Sequence, residues 1–181
     1  MKILETERLI LRRFSSEDWK DLYEYLSNVK AVKYEPYDVF TMDESKQEAV
    51  NRANLEEFWA VCLKENKKVI GNLYFKQQQP DEFLTWELGY VFNPLYGRKG
   101  YATESCRRII DYAFKELKTR RITAMCNPKN APSWMLLERL GMGKEGHLRE
   151  NMYFKFDEQG NPIWADTYIY SVLSKEWFSN E

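Results

Sequence analysis

A short basic loop, residues 96–104, is the part of the sequence whose residue types and spacing best suit chemistry. It reads Tyr-Gly-Arg-Lys-Gly-Tyr-Ala-Thr-Glu and lies between a strand-like run and a long amphipathic run. The first N–H groups of a helix have no intrahelical acceptor, and the helix dipole places partial positive charge there. Gly100 lets a ligand approach the backbone, while Arg98 and Lys99 add full charges. The loop therefore indicates a phosphate or pyrophosphate site, with an ordinary charged surface loop as the alternative.

The composition narrows the classes of function. The chain has 181 residues, of which 44% are hydrophobic, so we expect one domain over residues 1–181 with a sizeable core. Its 27 basic and 28 acidic residues leave no net positive charge for nonspecific binding to nucleic acid.

The cysteines, the histidine and the N-terminus predict where the protein works. Cys62, Cys106 and Cys126 are an odd number without short spacing, which argues against a disulfide scaffold or a zinc site and fits a reducing compartment. His147 is the single histidine, which argues against a metal site built from histidines and against a histidine-based catalytic triad. Charges interrupt the N-terminus too early for a signal peptide, and no apolar run approaches the about 20 residues that span a bilayer. We expect a cytoplasmic protein without a bound metal or a membrane segment.

The hydrophobic periodicity predicts elements in the order β, α, α, β, β, β, α, β, α, β, β. Strands are predicted at 7–14, 58–63, 69–75, 83–92, 121–126, 147–156 and 164–173. Helices are predicted at 15–28, 43–57, 101–118 and 130–140, the last with Asn130 as its N-cap and Gly141 beyond its end. This order is typical of an α/β or α+β fold with a mixed sheet.

One literal phosphate motif has the wrong context. Residues 141–146 match G-x-G-x-x-G, but they follow a predicted helix and lead into a predicted strand. The dinucleotide fingerprint requires a strand, a turn and then a helix. The segment therefore favours a helix C-cap and a turn, and a dinucleotide oxidoreductase is the minor alternative.

The basic loop has the right context, and there the sequence resembles the GNAT N-acetyltransferases. The family motif is Gln/Arg-x-x-Gly-x-Gly/Ala; Gly100 and Ala102 match it, while Gly97 departs from it. Other segments resemble the RimJ/RimL type over nearly all of the chain except about 29–57: residues 6–12, 87–94, 130–133, 137–142, 164–166 and 171–173. The resemblance implies a single-domain fold with a mixed, mostly antiparallel sheet flanked by helices.

The resemblance also implies an acetyl-CoA site. Tyr90, Val91 and Phe92 would run alongside the pantetheine arm, with ordinary strand core as the alternative for Val91 and Phe92. Asn130 would bind the pantetheine, or serve only as a helix cap. The pyrophosphate would be cradled by Arg98, Lys99, Gly100, Tyr101, Ala102 and Thr103.

The implied chemistry is attack of a neutral amine on a thioester. Many family members place a tyrosine acid seven residues after the asparagine, where this chain has Leu137. Ser133 would instead lie near the thioester sulfur, and its alternative is a plain first-turn helix residue. Glu87 is the candidate general base, directly or through water, with a structural carboxylate as its alternative. Glu150 and Asp166 are weaker candidates for holding the amine.

The acceptor is expected to contact the segment in which the resemblance is poorest. Tyr34, Tyr37 and Phe40 are candidates for lining its pocket and Glu35 for pairing with a cationic amine, although packing of the aromatic residues on the core is the favoured alternative. An α-amine has a reference pKa of about 7.7–8.0, against about 10.4 for lysine, so it needs little help from a base.

The resemblance implies an N-acetyltransferase that acts by direct attack in a ternary complex. The acceptor would be a protein N-terminus or a small-molecule amine, and a homodimer is one option for assembly. Cys106 and Cys126 lie in apolar runs, which leaves no credible covalent nucleophile. The rival interpretation is a noncatalytic CoA-binding module that has lost its acid.

Overall fold

The computed structural model describes residues 2–179 and contains one eight-stranded sheet. The strands are β1 (Leu4–Glu5), β2 (Leu9–Arg13), β3 (Phe58–Leu63), β4 (Val69–Gln77), β5 (Thr85–Phe92), β6 (Arg121–Cys126), β7 (Gly143–Phe156) and β8 (Pro162–Leu173). Their spatial order is β1-β2-β3-β4-β5-β6-β8-β7. Only β5 and β6 are paired in parallel; the other neighbours are antiparallel.

Six helices accompany the sheet. They are α1 (Trp19–Leu26), α2 (Val29–Val32), α3 (Met42–Ala53), α4 (Tyr101–Lys115), α5 (Ala131–Arg139) and α6 (Ser174–Phe178). Short 3-10 turns occur at Ser16–Asp18, Asp81–Phe83 and Pro94–Tyr96. The strands, helices and turns named above are those of residues 2–179.

The predicted fold class is confirmed, and every predicted strand and helix is present. The predicted order lacked three short elements, β1, α2 and α6. Elements of two to five residues do not complete enough of a hydrophobic period to be recognised. The last two strands also begin earlier than predicted, at Gly143 and Pro162, because they pair with each other beyond their apolar segments.

Apolar faces of the helices pack on both sides of the sheet. The apolar face of α4 is buried as predicted, with Cys106, Ile109 and Ile110 all fully buried among the core of one side. On the other side, α1, α2 and α3 contribute to a second core that includes Val91 of β5. The sheet is therefore the middle of three layers.

A buried polar network lies under α3 on this second side. Arg52 is 2% exposed, and its Nε donates to Glu48 at 2.7 Å. Its Nη1 donates to the side-chain oxygen of Asn72 at 2.9 Å, which also accepts from the Tyr25 hydroxyl at 2.9 Å. This network fixes α3 to β4, beside the β5 strand, because Asn72 is the register partner of Val91.

Gly71 is required by a close approach between β4 and the end of β5. A Cβ atom there would lie 2.6 Å from the carbonyl oxygen of Val91 and 2.5 Å from Cδ1 of Phe92. A backbone oxygen cannot move without shifting its strand. Gly71 therefore sets how closely β4 supports the outer end of β5.

We expect Gly71→Ala to lower the free energy of unfolding by about 2 kcal/mol, because overpacking at a backbone contact forces the strands apart. Urea denaturation measures this. Gly143→Ala is the matched control, since a Cβ there meets nothing within 4 Å, and its change should stay within about 0.5 kcal/mol. Equal unfolding midpoints for the two variants would contradict the assignment.

Candidate active site

The sheet opens between β5 and β6. Their pairing covers only Thr85–Arg121, Trp86–Ile122 and Glu87–Thr123. Beyond this point β5 continues paired to β4 alone, and β6 continues paired to β8 alone. The inner edges of residues 88–92 and 124–126 therefore face each other across a gap, with backbone groups that no neighbouring strand satisfies.

The side chains along the open part of β5 alternate between the two cores. Tyr90 and Phe92 pack against the core under α4 and α5, and Val91 is buried in the core under α1 to α3. The strand-core alternative thus describes the Val91 side chain correctly. The backbone of the same three residues remains available to a ligand along its inner edge.

The predicted anion loop joins this gap through one 3-10 turn. Arg98 and Gly100 have positive φ angles of 61° and 83°, and Gly100 is the N-cap of α4 without any side-chain cap. The first hydrogen bond of α4 is Glu104 N–H to the Gly100 carbonyl, at 3.0 Å. Within the described chain, the N–H groups from residue 98 to residue 103 have no acceptor. They form a concave row of donors at a helix N-terminus, which suits an anion.

Arg8 holds this loop in place, a role that the sequence patterns did not reveal. Its Nη1 donates to the Lys99 carbonyl at 3.0 Å, and its Nε donates to Glu104 at 2.8 Å. The guanidinium also lies 4.6 Å from the ring centroid of Tyr101. Arg8 thus fixes the backbone of the loop from the far side and leaves the loop lysine and Arg98 exposed.

Residues at the start of α5 border the gap from the other side. The Tyr90 hydroxyl lies 2.9 Å from the Ser133 hydroxyl and 3.0 Å from the Ser133 carbonyl oxygen. Asn130 is the N-cap residue of α5, as predicted, but its side chain makes no capping hydrogen bond. Its carbonyl accepts from the N–H of Ser133 at 3.0 Å instead. The amide of Asn130 is therefore not committed to its own helix. Leu137 is fully buried.

Glu87 lies where the gap begins. It is the last residue of β5 that pairs with β6, and it is half-buried. Burial raises the pKa of its carboxyl above the ordinary range. Successive side chains of a strand point to opposite faces of the sheet. The Glu87 side chain therefore lies on the same face as Val91, towards α1 to α3, and on the opposite face from Tyr90. Its position is thus compatible with a base that approaches the gap from that face.

A cavity of about 430 Å³ lies next to the segment that joins β6 to α5. One wall comes from Asn127, Pro128 and Lys129, and others from the segment after α2 and from the β7–β8 hairpin. The Tyr34 hydroxyl donates to the Lys129 carbonyl at 3.0 Å and connects two of these walls. The remaining lining residues are Lys33, Glu35, Glu150, Phe154, Lys155, Ile163, Trp164, Ala165 and Asp166.

The structure brings some of the predicted acceptor residues into this cavity and leaves others outside. Tyr34 and Glu35 line it, whereas Tyr37 and Phe40 pack against the second core, as their alternative held. Burial raises the pKa of the Glu35 carboxyl to about 7. The hairpin aromatic residues Phe154 and Trp164 were not among the predicted pocket residues, and only the structure shows that they are exposed and line the cavity.

Asp166 and Glu150, the two candidate acids on the β7–β8 hairpin, differ in their contacts and exposure. Asp166 accepts from the backbone N–H of Glu150 at 2.8 Å and pairs with His147 Nε2 at 2.7 Å, and these contacts lower its pKa. Asp166 is therefore engaged within the hairpin, and the Glu150 side chain is more exposed.

The described residues offer no activated thiol. Cys62, Cys106 and Cys126 are all free and buried, and burial raises the thiol pKa of Cys62 and of Cys126 to about 11. In residues 2–179, no three His, Cys, Asp or Glu side chains cluster as metal ligands would. No helix in that range is both long and apolar enough to cross a membrane.

Comparison with known proteins identifies the family. A family profile described as an acetyltransferase (GNAT) domain matches residues 8–143, more than half of the chain. The chain belongs to the GNAT acetyltransferase family. It is 37% identical over 175 residues to YnaD of Bacillus subtilis (strain 168), described as an uncharacterized N-acetyltransferase, covering 96% of this chain and 98% of that protein.

Solved GNAT structures share the fold. An acetyltransferase of the GNAT family from Bacillus anthracis superposes with a TM-score of 0.86 and 33% identity, covering 96% of this chain and 99% of the other. The spermidine N-acetyltransferase of Vibrio cholerae, solved in complex with CoA and spermine, shares the fold with a TM-score of 0.77 and 19% identity, over 96% and 99% of the chains. The protein is thus an N-acetyltransferase by family, and GNAT enzymes use acetyl-CoA as donor.

We expect Gly100→Val to weaken acetyl-CoA binding at least tenfold. A β-branched residue disfavours the φ of 83° and would stand beside the free N–H groups. Gly160→Val is the matched control, because Gly160 has nearly the same φ, 82°, in the distant hairpin turn. Isothermal titration of folded variants measures the two affinities. Unchanged affinity in Gly100→Val, or an equal loss in both variants, would contradict the loop assignment.

Proposed function

We propose that this protein is a RimJ/RimL-like N-acetyltransferase that moves an acetyl group from acetyl-CoA to a primary amine, on a protein N-terminus or a small molecule. The observation that carries the proposal is the continuity of two features. The open inner edge of β5 leads through a single turn, Pro94–Tyr96, into the row of free N–H groups at residues 98–103. Acetyl-CoA matches both features, because its extended amide-containing arm suits the open strand edge and its pyrophosphate suits the free N–H groups.

The donor would be held mainly by backbone groups. Residues 88–92, which include Tyr90, Val91 and Phe92, would pair with the amides of the pantetheine arm as a neighbouring strand would. The N–H groups from Arg98 to Thr103 would bind the pyrophosphate, and the uncapped side chain of Asn130 would reach the pantetheine. A CoA site in this fold is supported by the Vibrio cholerae spermidine N-acetyltransferase, which was solved with CoA bound.

The acceptor would enter from the opposite face, through the cavity beside Asn127–Lys129. Glu35 would face the incoming ammonium group, since a half-buried carboxylate without a hydrogen-bonded partner in residues 2–179 gains most from an added cation. That ammonium group must first give one proton to solvent to become a nucleophile, and Glu87 would accept a second proton as the neutral amine attacks, directly or through water. Its raised pKa brings it closer to the pKa of the amine.

The leaving sulfur would lie near Ser133. Because Leu137 occupies the position at which many GNAT enzymes carry a tyrosine acid, the Ser133 hydroxyl would stabilise the thiolate by a hydrogen bond. Acetyl-CoA supplies the activated acetyl group, and the chain supplies orientation and charge.

The buried cysteines fit a cytoplasmic location, and the single domain and the homodimer remain predictions.

Turnover tests the proposal. Acetyl-CoA is incubated with the protein and with a panel of peptides, polyamines and other primary amines, and free CoA thiol is followed with a thiol reagent. We expect release that depends on the acceptor. Tight CoA binding without release on any acceptor would contradict catalysis and favour the noncatalytic module. Saturable binding of NADH would instead revive the dinucleotide interpretation of residues 141–146.

We expect Glu35→Gln to raise the acceptor KM about tenfold, equivalent to about 1.4 kcal/mol of lost binding, with little change in kcat. In the parent protein the acceptor KM should fall as pH rises through about 7, because Glu35 then becomes charged. The glutamine variant should lose this dependence. Steady-state kinetics between pH 6 and pH 8 measure it, with the exposed Glu65→Gln as control.

A different pattern is expected for Glu87→Gln. Loss of the base should lower kcat without raising the acceptor KM. An unchanged KM in Glu35→Gln, or a pH dependence that persists in it, would contradict the role given to Glu35.

A further inference from the structure

A tyrosine on β5 and a serine on α5 are joined across the gap in the sheet. Tyr90 Oη lies within hydrogen-bonding distance of both oxygens of Ser133, the carbonyl at 3.0 Å and the hydroxyl at 2.9 Å. The Ser133 hydroxyl also contacts the thiol of Cys126, the last residue of β6, and partly offsets the effect of burial on the pKa of that thiol. Ser133 is therefore held between the two strands at the place where they have separated.

We propose that Tyr90 is a positioning residue that directs the Ser133 hydroxyl towards the thioester sulfur. The inference rests on the proposed function, which places the donor in the gap. It assigns to the Tyr90 side chain a role different from that of its backbone, which would pair with the pantetheine arm.

The donors and acceptors of the two hydroxyl groups explain how Tyr90 can orient Ser133. A phenol has a single proton and can donate to one acceptor at a time. When Tyr90 donates to the Ser133 carbonyl oxygen, its own oxygen can accept from the Ser133 hydroxyl. When it donates to the Ser133 hydroxyl oxygen instead, that hydroxyl must donate its own proton elsewhere. A sulfur that gains negative charge in the gap is the strongest acceptor available, and chains of hydrogen bonds polarise one another. Tyr90 thus favours the orientation of Ser133 that stabilises the leaving thiolate.

Tyr90 is not the missing acid. Burial raises the pKa of its phenol far above the ordinary range, so the phenol keeps its proton throughout the reaction. As the amine nitrogen forms its bond to the acetyl carbon, the carbon–sulfur bond breaks and the sulfur leaves with the electron pair. The proton of the amine passes to Glu87 or water, and the thiolate takes a proton from solvent on release. Ser133 and Tyr90 donate hydrogen bonds and finish with their own protons.

The test measures the thiol of bound CoA rather than turnover alone. CoA is titrated with pH on the protein, and the ultraviolet absorbance of the thiolate reports the pKa of its thiol. We expect the parent protein to lower this pKa relative to free CoA. Tyr90→Phe and Ser133→Ala should each move it back towards the free value and lower kcat about tenfold, with CoA affinity changed less than twofold.

The double variant distinguishes positioning from packing. If Tyr90 acts through Ser133, then Tyr90→Phe has no further effect on either readout in the Ser133→Ala background. Tyr170→Phe is the matched control: it removes another tyrosine hydroxyl on the same side of the sheet, bonded to Glu138 at 3.1 Å. It should leave the thiol pKa and kcat within twofold of the parent.

The other possible results distinguish an error in the role of Tyr90 from an error in the proposed function. An unchanged thiol pKa in Tyr90→Phe, or additive effects in the double variant, would overturn the role of Tyr90 and leave the proposed acetyl transfer intact. Failure of the parent protein to bind CoA would overturn the proposed function itself, and with it any role of Ser133 at the sulfur.

Discussion

The parting of β5 and β6 after Glu87 and Thr123 is the constraint on which the candidate site depends. Unpaired backbone groups are costly unless water or a ligand satisfies them. The fold limits this cost to the inner edges, because β4 supports β5 and β8 supports β6 on their outer sides. The sheet therefore stays ordered up to the rim of the gap, and a rigid, open strand edge is available to an extended ligand.

The same parting divides the site between two layers. The loop at 98–103 and the start of α5 belong to the layer that covers one face, with Arg8 tying the loop to the second strand. The cavity that holds Glu35 lies between the segment after α2, the segment that joins β6 to α5, and the β7–β8 hairpin. The buried pair of Arg52 and Asn72 fixes α3 to β4 directly opposite Val91. In the proposed function, donor and acceptor would therefore approach the gap from different directions.

Much of the fold is predictable from sequence, and so is the place of the candidate anion loop in it, because both rest on local signals. The periodicity of α4, the glycine at its start and the strand before it are contiguous, and each has a physical meaning by itself. Side-chain roles that depend on distant neighbours were less accessible. Asn130 looks like a helix cap in the sequence, yet its side chain makes no capping bond. For Tyr37 and Phe40, packing on the core was the favoured interpretation and a pocket the alternative, and only the structure shows them packed against the second core.

The sequence by itself determined the order of the main elements, the basic glycine-containing loop at a helix start, and the absence of a tyrosine at Leu137. These follow from residue type and spacing along the chain. Only the tertiary structure decided that the β5 edge is open, that Arg8 braces the loop, that Glu35 is buried enough to titrate near neutral pH, and that Tyr90 meets Ser133 across the gap. The physical reason is that strand pairing, desolvation and side-chain hydrogen bonds between remote segments exist only once those segments are packed together.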